Sequence, residues 1–360
     1  MPIDVGHKIS PADEYMARLQ WIQILRAAAA CSVVAHHVLY YAIARGLIAG
    51  DKNGSVFEAG VDLFFVISGF IMMVVTDPDR AGELSAARFC KSRFARIIPL
   101  YWIYTILLAA VCFVEPLLFR SVTVTAEVLW HSFFLVPLRD GDAVAPVLRV
   151  GWTLVYEAWF YAFIAATLRF ELWRRALVAA IIFGVTVIAA NIVSLDTELG
   201  RYLANTMMFE FLAGMLIYMG YRRGIRLPSA TPLAIMSIGL TWLAASTFIG
   251  LPTLQTRFAM WGIPAAMIVI GALQLPDVKG LAGRVLQVLG DASYSIYLSH
   301  LFTIGAVYWA LEFIGILAPA AFVGAALLAS VGVGVVSYWM LERPLLRWAR
   351  PSPRRGSQPA

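Results

Sequence analysis

The stretch WIQILRAAAACSVVAHHVLYYAIA, residues Trp21 to Ala44, sets the fold class of this chain. At about 1.5 Å per residue, a helix of this length crosses the hydrocarbon core of a bilayer, which is about 30 Å thick. It is mostly apolar but carries Arg26 and a histidine pair, His36 and His37. Ionisable side chains inside a membrane helix are costly and usually mark a pathway or a reaction centre. The stretch therefore predicts a membrane helix that carries chemistry.

Arg26 and His37 share one face of this helix. They are eleven residues apart, which corresponds to three turns plus about 20° and to about 16 Å along the axis. His36 projects about 100° away from His37 and is expected to be structural. For His37 the segment alone leaves open the alternative of a hydrogen-bonded packing residue.

The composition extends this interpretation to the whole chain. Of the 360 residues, 61% are hydrophobic and 14% are charged, whereas soluble domains carry about 25% charged residues. Apolar stretches recur up to Met340, and no hydrophilic stretch is long enough for a second core. We therefore expect an all-α integral membrane protein with about ten transmembrane helices. They cover residues 21–43, 57–76, 97–114, 152–169, 174–194, 203–220, 231–249, 258–275, 294–314 and 318–341.

Three regions follow from this pattern: an N-terminal segment over 1–20, a membrane domain over 21–345 and a basic, disordered tail over 346–360. Arginine and lysine concentrate in loops 77–96, 169–175 and 221–226 and in the tail, while the alternate loops are poorer in them. The positive-inside rule then places both termini in the cytoplasm.

The apolar run Val128–Leu138 is too short to span and is expected to be interfacial or re-entrant on the outer side.

The net charge of the chain is +6, and its basic residues cluster at the ends of the spans. At these positions they suit contact with anionic lipid, so the charge gives no reason to expect a nucleic-acid partner. The three cysteines are odd in number, so a disulfide framework is not expected. The first 20 residues lack the pattern of a cleaved signal peptide.

Two further motifs put polar groups into the membrane domain. GVDLFFVISGF, residues 60–70, carries Asp62 near the outer end of the second helix, with Ser68 and Gly69 permitting close approach of a helix or a ligand. KSRFARIIPLYW, residues 91–102, places Arg93 and Arg96 on one face if it is helical. Paired guanidinium groups suit a phosphate-bearing ligand. The alternatives to these roles are that Asp62 is an interfacial residue and that the arginines are plain membrane anchors.

Two later motifs add candidates. WTLVYEAWFY, residues 152–161, places Glu157 inside the fourth helix, where a carboxylate needs a partner from another helix. DASYSIYLSHLF, residues 291–302, places Tyr294 and His300 at the start of the ninth helix. There is no P-loop, dinucleotide fingerprint, G-x-S-x-G elbow or metal-ligand spacing. We therefore expect no metal, and ATP-driven transport by this chain alone is disfavoured.

In combination, these motifs resemble the acyltransferase-3 family of bacterial membrane O-acyltransferases, in particular its exopolysaccharide acetyltransferase branch. The match extends from residue 21 to about 345. Five features occur in the family's order: Arg26 and His37 with ten residues between them, GVDLFFVISGF, R-x-x-R-I-x-P-x-Y-W from Arg93 to Trp102, W-T-L-x-x-E-x-x-F-Y from Trp152 to Tyr161, and S-Y-S-I-Y-L-S-H from Ser293 to His300.

The resemblance implies O-acylation of a glycan, usually with acetyl-CoA as the donor. It makes His37 the essential histidine, either as a general base or as a transient acyl carrier. Arg93 and Arg96 would bind the phosphates of coenzyme A, and Arg26 would hold the donor or stabilise the oxyanion. Glu157 or Asp62 would orient His37. Ser68, Tyr294 and His300 are weaker candidates for substrate or structural roles.

The resemblance leaves the acceptor, the acyl chain length and the oligomeric state open. A transporter or flippase with a buried His and carboxylate relay is the alternative function, and inverted repeats with paired broken helices would mark it. A non-catalytic scaffold in a polysaccharide export complex is a third possibility, which predicts no binding of acetyl-CoA.

Overall fold

A computed structural model describes residues 19–50, 55–81, 84–114, 124–137, 139–140, 143–144, 146–193 and 198–349. The expected N-terminal segment up to residue 18 and the tail from residue 350 onward lie outside the described residues. The regular secondary structure of the described residues is helical apart from one antiparallel pair of two-residue strands, β1 (Arg139–Asp140) and β2 (Ala143–Val144). The expectation of an all-α fold is therefore confirmed.

The described part of the chain contains fifteen α-helices, some of them only a turn or two long. In chain order they are α1 (Gln20–Ala44), α2 (Gly60–Val75), α3 (Pro78–Ala81), α4 (Ala86–Val114), α5 (Ala126–Phe134), α6 (Trp152–Ala166), α7 (Leu172–Val193), α8 (Glu198–Ala204), α9 (Met208–Arg222), α10 (Thr231–Ile249), α11 (Ile263–Ala272), α12 (Gly280–Asp291), α13 (Ser293–Phe313), α14 (Pro319–Ser337) and α15 (Arg343–Ala349).

Eight helical segments within the described ranges are long and apolar enough to cross a membrane. They correspond to eight of the ten expected spans. The expected span 258–275 is the shorter apolar helix Phe258–Ala272, and the expected span 152–169 is α6, with 15 residues. A total of ten spans and the cytoplasmic placement of both termini remain predictions.

Two helical stretches differ from the sequence-based expectation. Helix α4 begins at Ala86 rather than at residue 97, because its first turns are charged and an apolar pattern does not reveal them. It continues through Pro99 without a break, since a membrane helix tolerates proline where neighbouring groups satisfy the freed carbonyl. Helix α12 was not expected, because it has charged and polar residues and is too short to span. It packs along α1.

The segment expected not to span forms α5, which has nine residues. At about 1.5 Å per residue this helix is far shorter than the hydrocarbon core of a bilayer. The side chain of Thr125 caps its N-terminus by accepting a hydrogen bond from the backbone N–H of Val128. The helix ends at Leu135, whose φ of 51° is left-handed. The short apolar run therefore forms a capped helix that cannot cross the membrane.

Helix α2 is the innermost of the candidate spans, and it crosses α9 at very short range. A Cβ added at Gly69 would lie 2.0 Å from the carbonyl oxygen of Phe211, and one added at Gly214 would lie 2.0 Å from that of Val66. Membrane helices associate through small residues of this kind, because hydrocarbon tails supply no hydrophobic force between them. Gly69 thus allows α9 to approach α2 closely, which is one of the two possibilities that its motif suggested.

The ends of α2 and α9 are joined by ionic contacts. Tyr218 and Arg222 both donate to Oδ2 of the buried Asp77, at 2.6 Å. Burial alone raises the pKa of Asp77, but these hydrogen bonds outweigh it and hold the pKa below its usual range. Arg222 also pairs with Asp79. This ionic cluster anchors the predicted cytoplasmic end of the crossing.

Not every arginine of the basic loops is a membrane anchor. Arg175 is fully buried and donates to Oγ1 of Thr76 at 2.5 Å. It also donates to the carbonyl oxygens of Thr167, Leu168 and Phe170, at 3.3 Å each. Arg175 therefore satisfies the carbonyl groups exposed after the end of α6.

We predict that Gly69→Ala destabilises the fold by about 1–3 kcal/mol, because its Cβ overlaps the backbone of α9 and neither helix can yield freely. Thermal unfolding in detergent measures the effect. Gly184→Ala in α7 is the matched control, since nothing lies within 4 Å of its added Cβ and alanine favours the helix by up to about 1 kcal/mol. Equal unfolding temperatures for the two variants would contradict the close crossing.

Candidate functional site

A cavity of about 320 Å³ lies among α1, α2, α4, α6, α12 and α13. Charged and polar side chains form much of its wall, together with apolar residues of α2. The polar lining residues are Gln23, Arg26, Ser68, Arg93, Arg96, Thr153, Glu157, Tyr161, Gln287, Asp291, Ser293, Tyr294, Tyr297, Tyr338 and Glu342. Six of the nine side chains proposed from the sequence are among them.

The three arginines proposed from the sequence meet in this cavity. Arg26 comes from α1, while Arg93 and Arg96 come from α4 and lie on one face of it, as their spacing predicts. Arg26 is buried and donates to Oε1 of Gln23 at 2.9 Å. Arg93 lies over the ring of Phe89 at 5.9 Å and is half-buried. The cavity thus concentrates three guanidinium groups near the first turns of α1 and α4.

Three carboxylates line the same cavity, from Glu157, Asp291 and Glu342. Oε1 of Glu157 accepts hydrogen bonds from Tyr161 and, at 3.4 Å, from Ser68. Asp291 lies at the end of α12, and burial raises its pKa above the usual range although Arg26 and Arg96 oppose the shift. The formal charges of arginines and carboxylates therefore balance within the cavity.

Glu342 lies directly after the last expected span, residues 318–341, and the structure places its side chain in the cavity. Its side chain is 2% exposed, and Oε2 accepts a hydrogen bond from Ser295 at 2.6 Å. The turn Tyr338–Glu342 is π-helical, and such turns occur often at functional sites. The extra residue in a π-helical turn changes which side chains face the cavity. A projection that assumes 3.6 residues per turn therefore does not predict that Glu342 faces inward.

Tyrosines of α13 separate this cavity from the histidines. Tyr294 donates to the carbonyl oxygen of Ile97 at 2.8 Å and so joins α13 to α4. Tyr297 donates to the carbonyl oxygen of Val150 at 2.8 Å, and its hydroxyl lies 2.8 Å from Oγ1 of Thr153. Both hydroxyl groups are therefore held in place by hydrogen bonds.

The histidines form a cluster behind Tyr297. The ring of His300 lies 6.1 Å from that of Tyr297 and 4.8 Å from that of His37, measured between centroids. His36 lies 4.8 Å from His37 on its other side. His37 is half-buried and is not among the cavity-lining residues of the described chain. The cavity therefore ends at Tyr297, one aromatic layer short of His37.

Backbone carbonyl groups determine the tautomers of His37 and His300. Nδ1 of His37 lies 2.9 Å from the carbonyl oxygen of Val33, and Nδ1 of His300 lies 2.7 Å from that of Tyr297. A carbonyl oxygen only accepts, so both Nδ1 atoms carry hydrogen and both Nε2 atoms expose a lone pair when the rings are neutral. The structure thus gives the orienting role expected of Glu157 or Asp62 to the backbone.

Asp62 belongs to a second buried cluster. Arg257 donates from Nε to Oδ1 of Asp62 at 3.0 Å and from Nη2 to Oδ2 at 2.9 Å. It also donates to Oε1 of Glu58 at 2.7 Å. Trp261 stacks on the guanidinium group at 4.8 Å. We therefore revise the assignment of Asp62, because both of its oxygens are bound to Arg257 and neither to His37.

The electrostatics of this cluster favour the charged arginine. Burial disfavours its charge, but Asp62 and Glu58 more than offset this and hold the pKa of Arg257 above its usual range. Glu210 lies beside Asp62, is fully buried, and neither of its oxygens has a hydrogen-bond partner among the described residues. Arg257 was not among the residues proposed from the sequence, since its partners are more than 190 residues away.

Comparison with known proteins identifies the class. The family model described as an acyltransferase domain matches residues 19–339. The chain is 38% identical over 311 residues to the exopolysaccharide production protein ExoZ of Rhizobium meliloti (strain 1021), which covers 84% of this chain and 94% of ExoZ. It is 26% identical over 393 residues to the acyltransferase MdmB of Streptomyces mycarofaciens, over 92% of each chain.

A further relative is the peptidoglycan O-acetyltransferase OatA of Listeria monocytogenes serovar 1/2a (strain ATCC BAA-679 / EGD-e). The identity is 23% over 308 residues, which is 77% of this chain and 48% of OatA. No solved structure matches the chain significantly. The chain therefore belongs to the acyltransferase-3 family, and its long apolar helices make it a multi-pass membrane acyltransferase.

We predict that Arg257→Gln destabilises the protein by about 3–5 kcal/mol, because it leaves the buried carboxylate of Asp62 without its cation. Thermal unfolding in detergent tests this. Arg174→Gln is the matched control, since Arg174 pairs with Glu171 at 3.9 Å on the surface, with 60% of its side chain exposed, and such a pair contributes at most about 1 kcal/mol. Unfolding of Arg257→Gln at the wild-type temperature would refute a structural role for the pair.

Proposed function

We propose that this protein transfers an acetyl group from cytoplasmic acetyl-CoA to a hydroxyl group of a glycan on the outer side of a bacterial inner membrane. The observation that carries the proposal is the cavity that holds Arg26, Arg93 and Arg96 and extends to Tyr297, whose ring lies 6.1 Å from that of His300. The arginines mark the phosphate end of the donor, and the histidines mark the acceptor end.

The arginine cluster suits the phosphates of coenzyme A. Arg93 and Arg96 are half-buried near the predicted cytoplasmic end of α4, and each planar guanidinium group can hold two phosphate oxygens. Arg96 forms no hydrogen bond or ion pair with any of the described residues, so its donors are available. Arg26 lies deeper in the bundle and is proposed to hold the donor near its thioester.

The separation between Arg26 and His37 matches the shape of this donor. Eleven residues of α1 correspond to about 16 Å, a distance that the extended pantetheine arm can bridge. The acetyl group then reaches the outer half of the membrane while the nucleotide part of the donor stays on the cytoplasmic side. Glu157, which binds Ser68 and Tyr161, is proposed to act on the donor within the cavity rather than on His37.

His37 is proposed as the base. Its Nε2 lone pair takes the proton of the acceptor hydroxyl as the hydroxyl oxygen attacks the thioester carbonyl carbon. The bond between that carbon and sulfur then breaks, and the departing thiolate of coenzyme A takes the proton from His37. The products are the acetyl ester and free coenzyme A, and no oxidant or metal is consumed.

The named relatives support a glycan as the acceptor. ExoZ is an exopolysaccharide production protein, and OatA is an O-acetyltransferase that acts on peptidoglycan. The higher identity to ExoZ favours an exopolysaccharide or its lipid-linked precursor. The transporter alternative has no observation in its favour, and transfer of label from [14C]acetyl-CoA to cell glycan distinguishes the two functions.

We predict that His37→Ala lowers acetyl transfer by about 100-fold or more, the usual range for loss of a general base. Membrane vesicles with [14C]acetyl-CoA and acceptor glycan provide the assay. His36→Ala is the matched control, because His36 is the neighbour of His37 on α1 but binds Oγ of Ser55 at 3.1 Å. Full activity in His37→Ala would refute the assignment.

We predict that Arg93→Ala and Arg96→Ala each raise KM for acetyl-CoA by about 10-fold or more with a smaller effect on kcat, because a charged hydrogen bond contributes about 1.5–3 kcal/mol. Arg88→Ala, an exposed arginine on the same helix, serves as the control for a general loss of positive charge. An unchanged KM in both cavity variants would place the donor elsewhere.

A further inference from the structure

A buried carboxylate faces the arginines of the cavity without touching them. The side chain of Glu342 is 2% exposed and lines the cavity together with Arg26 and Arg96. Of the charged groups around these two arginines, Glu342 is the strongest opposite charge for each of them. No hydrogen bond or ion pair joins it to either arginine within the described residues. Glu342 therefore acts on the arginines through its charge alone.

Ser295 explains why these groups stay apart. Its hydroxyl donates to Oε2 of Glu342 at 2.6 Å, which ties the carboxylate to α13 rather than to an arginine. A carboxylate in bidentate contact with a guanidinium group would occupy two of its five N–H donors. Glu342 instead offsets the charge of Arg96 and leaves the N–H groups of Arg96 available for a ligand.

The charge of Glu342 is the feature that needs an explanation. A π-helical turn, Tyr338–Glu342, brings this side chain into the cavity, and such turns occur often at functional sites. A buried carboxylate in a membrane domain is costly, because it loses its hydration. A neutral glutamine would accept the hydrogen bond of Ser295 equally well. The negative charge therefore serves the arginines and not the packing of α13.

The phosphates of the proposed donor carry the same sign of charge as Glu342. In the empty cavity, the carboxylate stabilises guanidinium groups that repel one another. When the donor is bound, its phosphates supply that counter-charge, and the carboxylate then repels them. Screening by salt is weak at a buried group, so the repulsion persists at physiological ionic strength. Glu342 is therefore expected to weaken the binding of any phosphate-bearing ligand.

We propose that Glu342 is an affinity-determining residue of the donor site, where its carboxylate takes the place of the donor phosphates as the counter-charge of Arg26 and Arg96. This inference rests on the proposed function. Coenzyme A keeps all of its phosphates after the acetyl group has left, so the same repulsion promotes release of the product. Tighter binding of donor and product alike does not accelerate the chemical step, which is why a residue that lowers affinity suits turnover.

Glu342→Gln tests the proposal, because it removes the charge and keeps the shape and the acceptor for Ser295. We expect Kd of coenzyme A and of acetyl-CoA to fall by about 10-fold, the effect of one unit charge roughly 10 Å from a phosphate at an effective dielectric constant of about 20. Calorimetric titration in detergent measures both constants. S-Acetylpantetheine has the same thioester but no phosphates, and its KM in the vesicle assay should stay unchanged.

Thermal unfolding supplies a readout of opposite sign. Without a donor, Glu342→Gln should unfold at a lower temperature than the wild type, since the arginines lose a counter-charge. Saturating coenzyme A should then raise its unfolding temperature by more than it raises that of the wild type. Glu312→Gln is the matched control, because Glu312 is an exposed carboxylate at the far end of α13. It should change neither Kd nor the response to coenzyme A.

An unchanged or higher Kd of coenzyme A in Glu342→Gln overturns the proposal, as does an equal change for S-acetylpantetheine. If Glu342→Gln does not fold, Asp291→Asn carries the test, since Asp291 lines the same cavity with the same charge. Arg96→Ala separates this failure from failure of the proposed function. Weaker binding of coenzyme A in Arg96→Ala with an unchanged Kd in Glu342→Gln removes only the role of Glu342, whereas wild-type binding in Arg96→Ala places the donor elsewhere.

Discussion

The cost of an ionisable side chain inside a membrane controls the arrangement of this protein. Every buried charge has to find a partner within the bundle, because lipid offers none. Two clusters of the described residues show how this demand is met. Three arginines and three carboxylates balance each other around the cavity, and Arg257 binds two carboxylates. His37 and His300 satisfy their Nδ1 donors with backbone carbonyls instead.

Helix α2 connects the two clusters. Its glycine contact with α9 brings the backbones close enough that Asp62 lies beside Glu210, while Ser68 faces the cavity and Glu157. The ion pair of Asp62 with Arg257 therefore stabilises the helix that forms one wall of the cavity. A carboxylate with a structural partner and a serine that lines the cavity share one short motif, which explains why the motif alone suggests a site role for both.

Much of the candidate site was predictable from the sequence, for a definite physical reason. Arg93 and Arg96 stand three residues apart, and local helical geometry alone puts them on one face. The same holds for the depth of Arg26 and His37 on α1. Glu342 was not predictable in this way, because the π-helical turn shifts the register of its helix. Asp291 was missed because α12 is amphipathic and too short to be detected as a span.

The sequence by itself determined the fold class, eight of the spans and the residues that bring charge into the membrane, because these depend on apolar length and on the helical repeat. Only the tertiary structure decided which charges meet. Asp62 and Arg257 are 195 residues apart, and no local rule relates residues at such separations. The tautomer of His37 likewise depended on where its ring meets the backbone. Pairing across helices is set by packing, which a single segment does not encode.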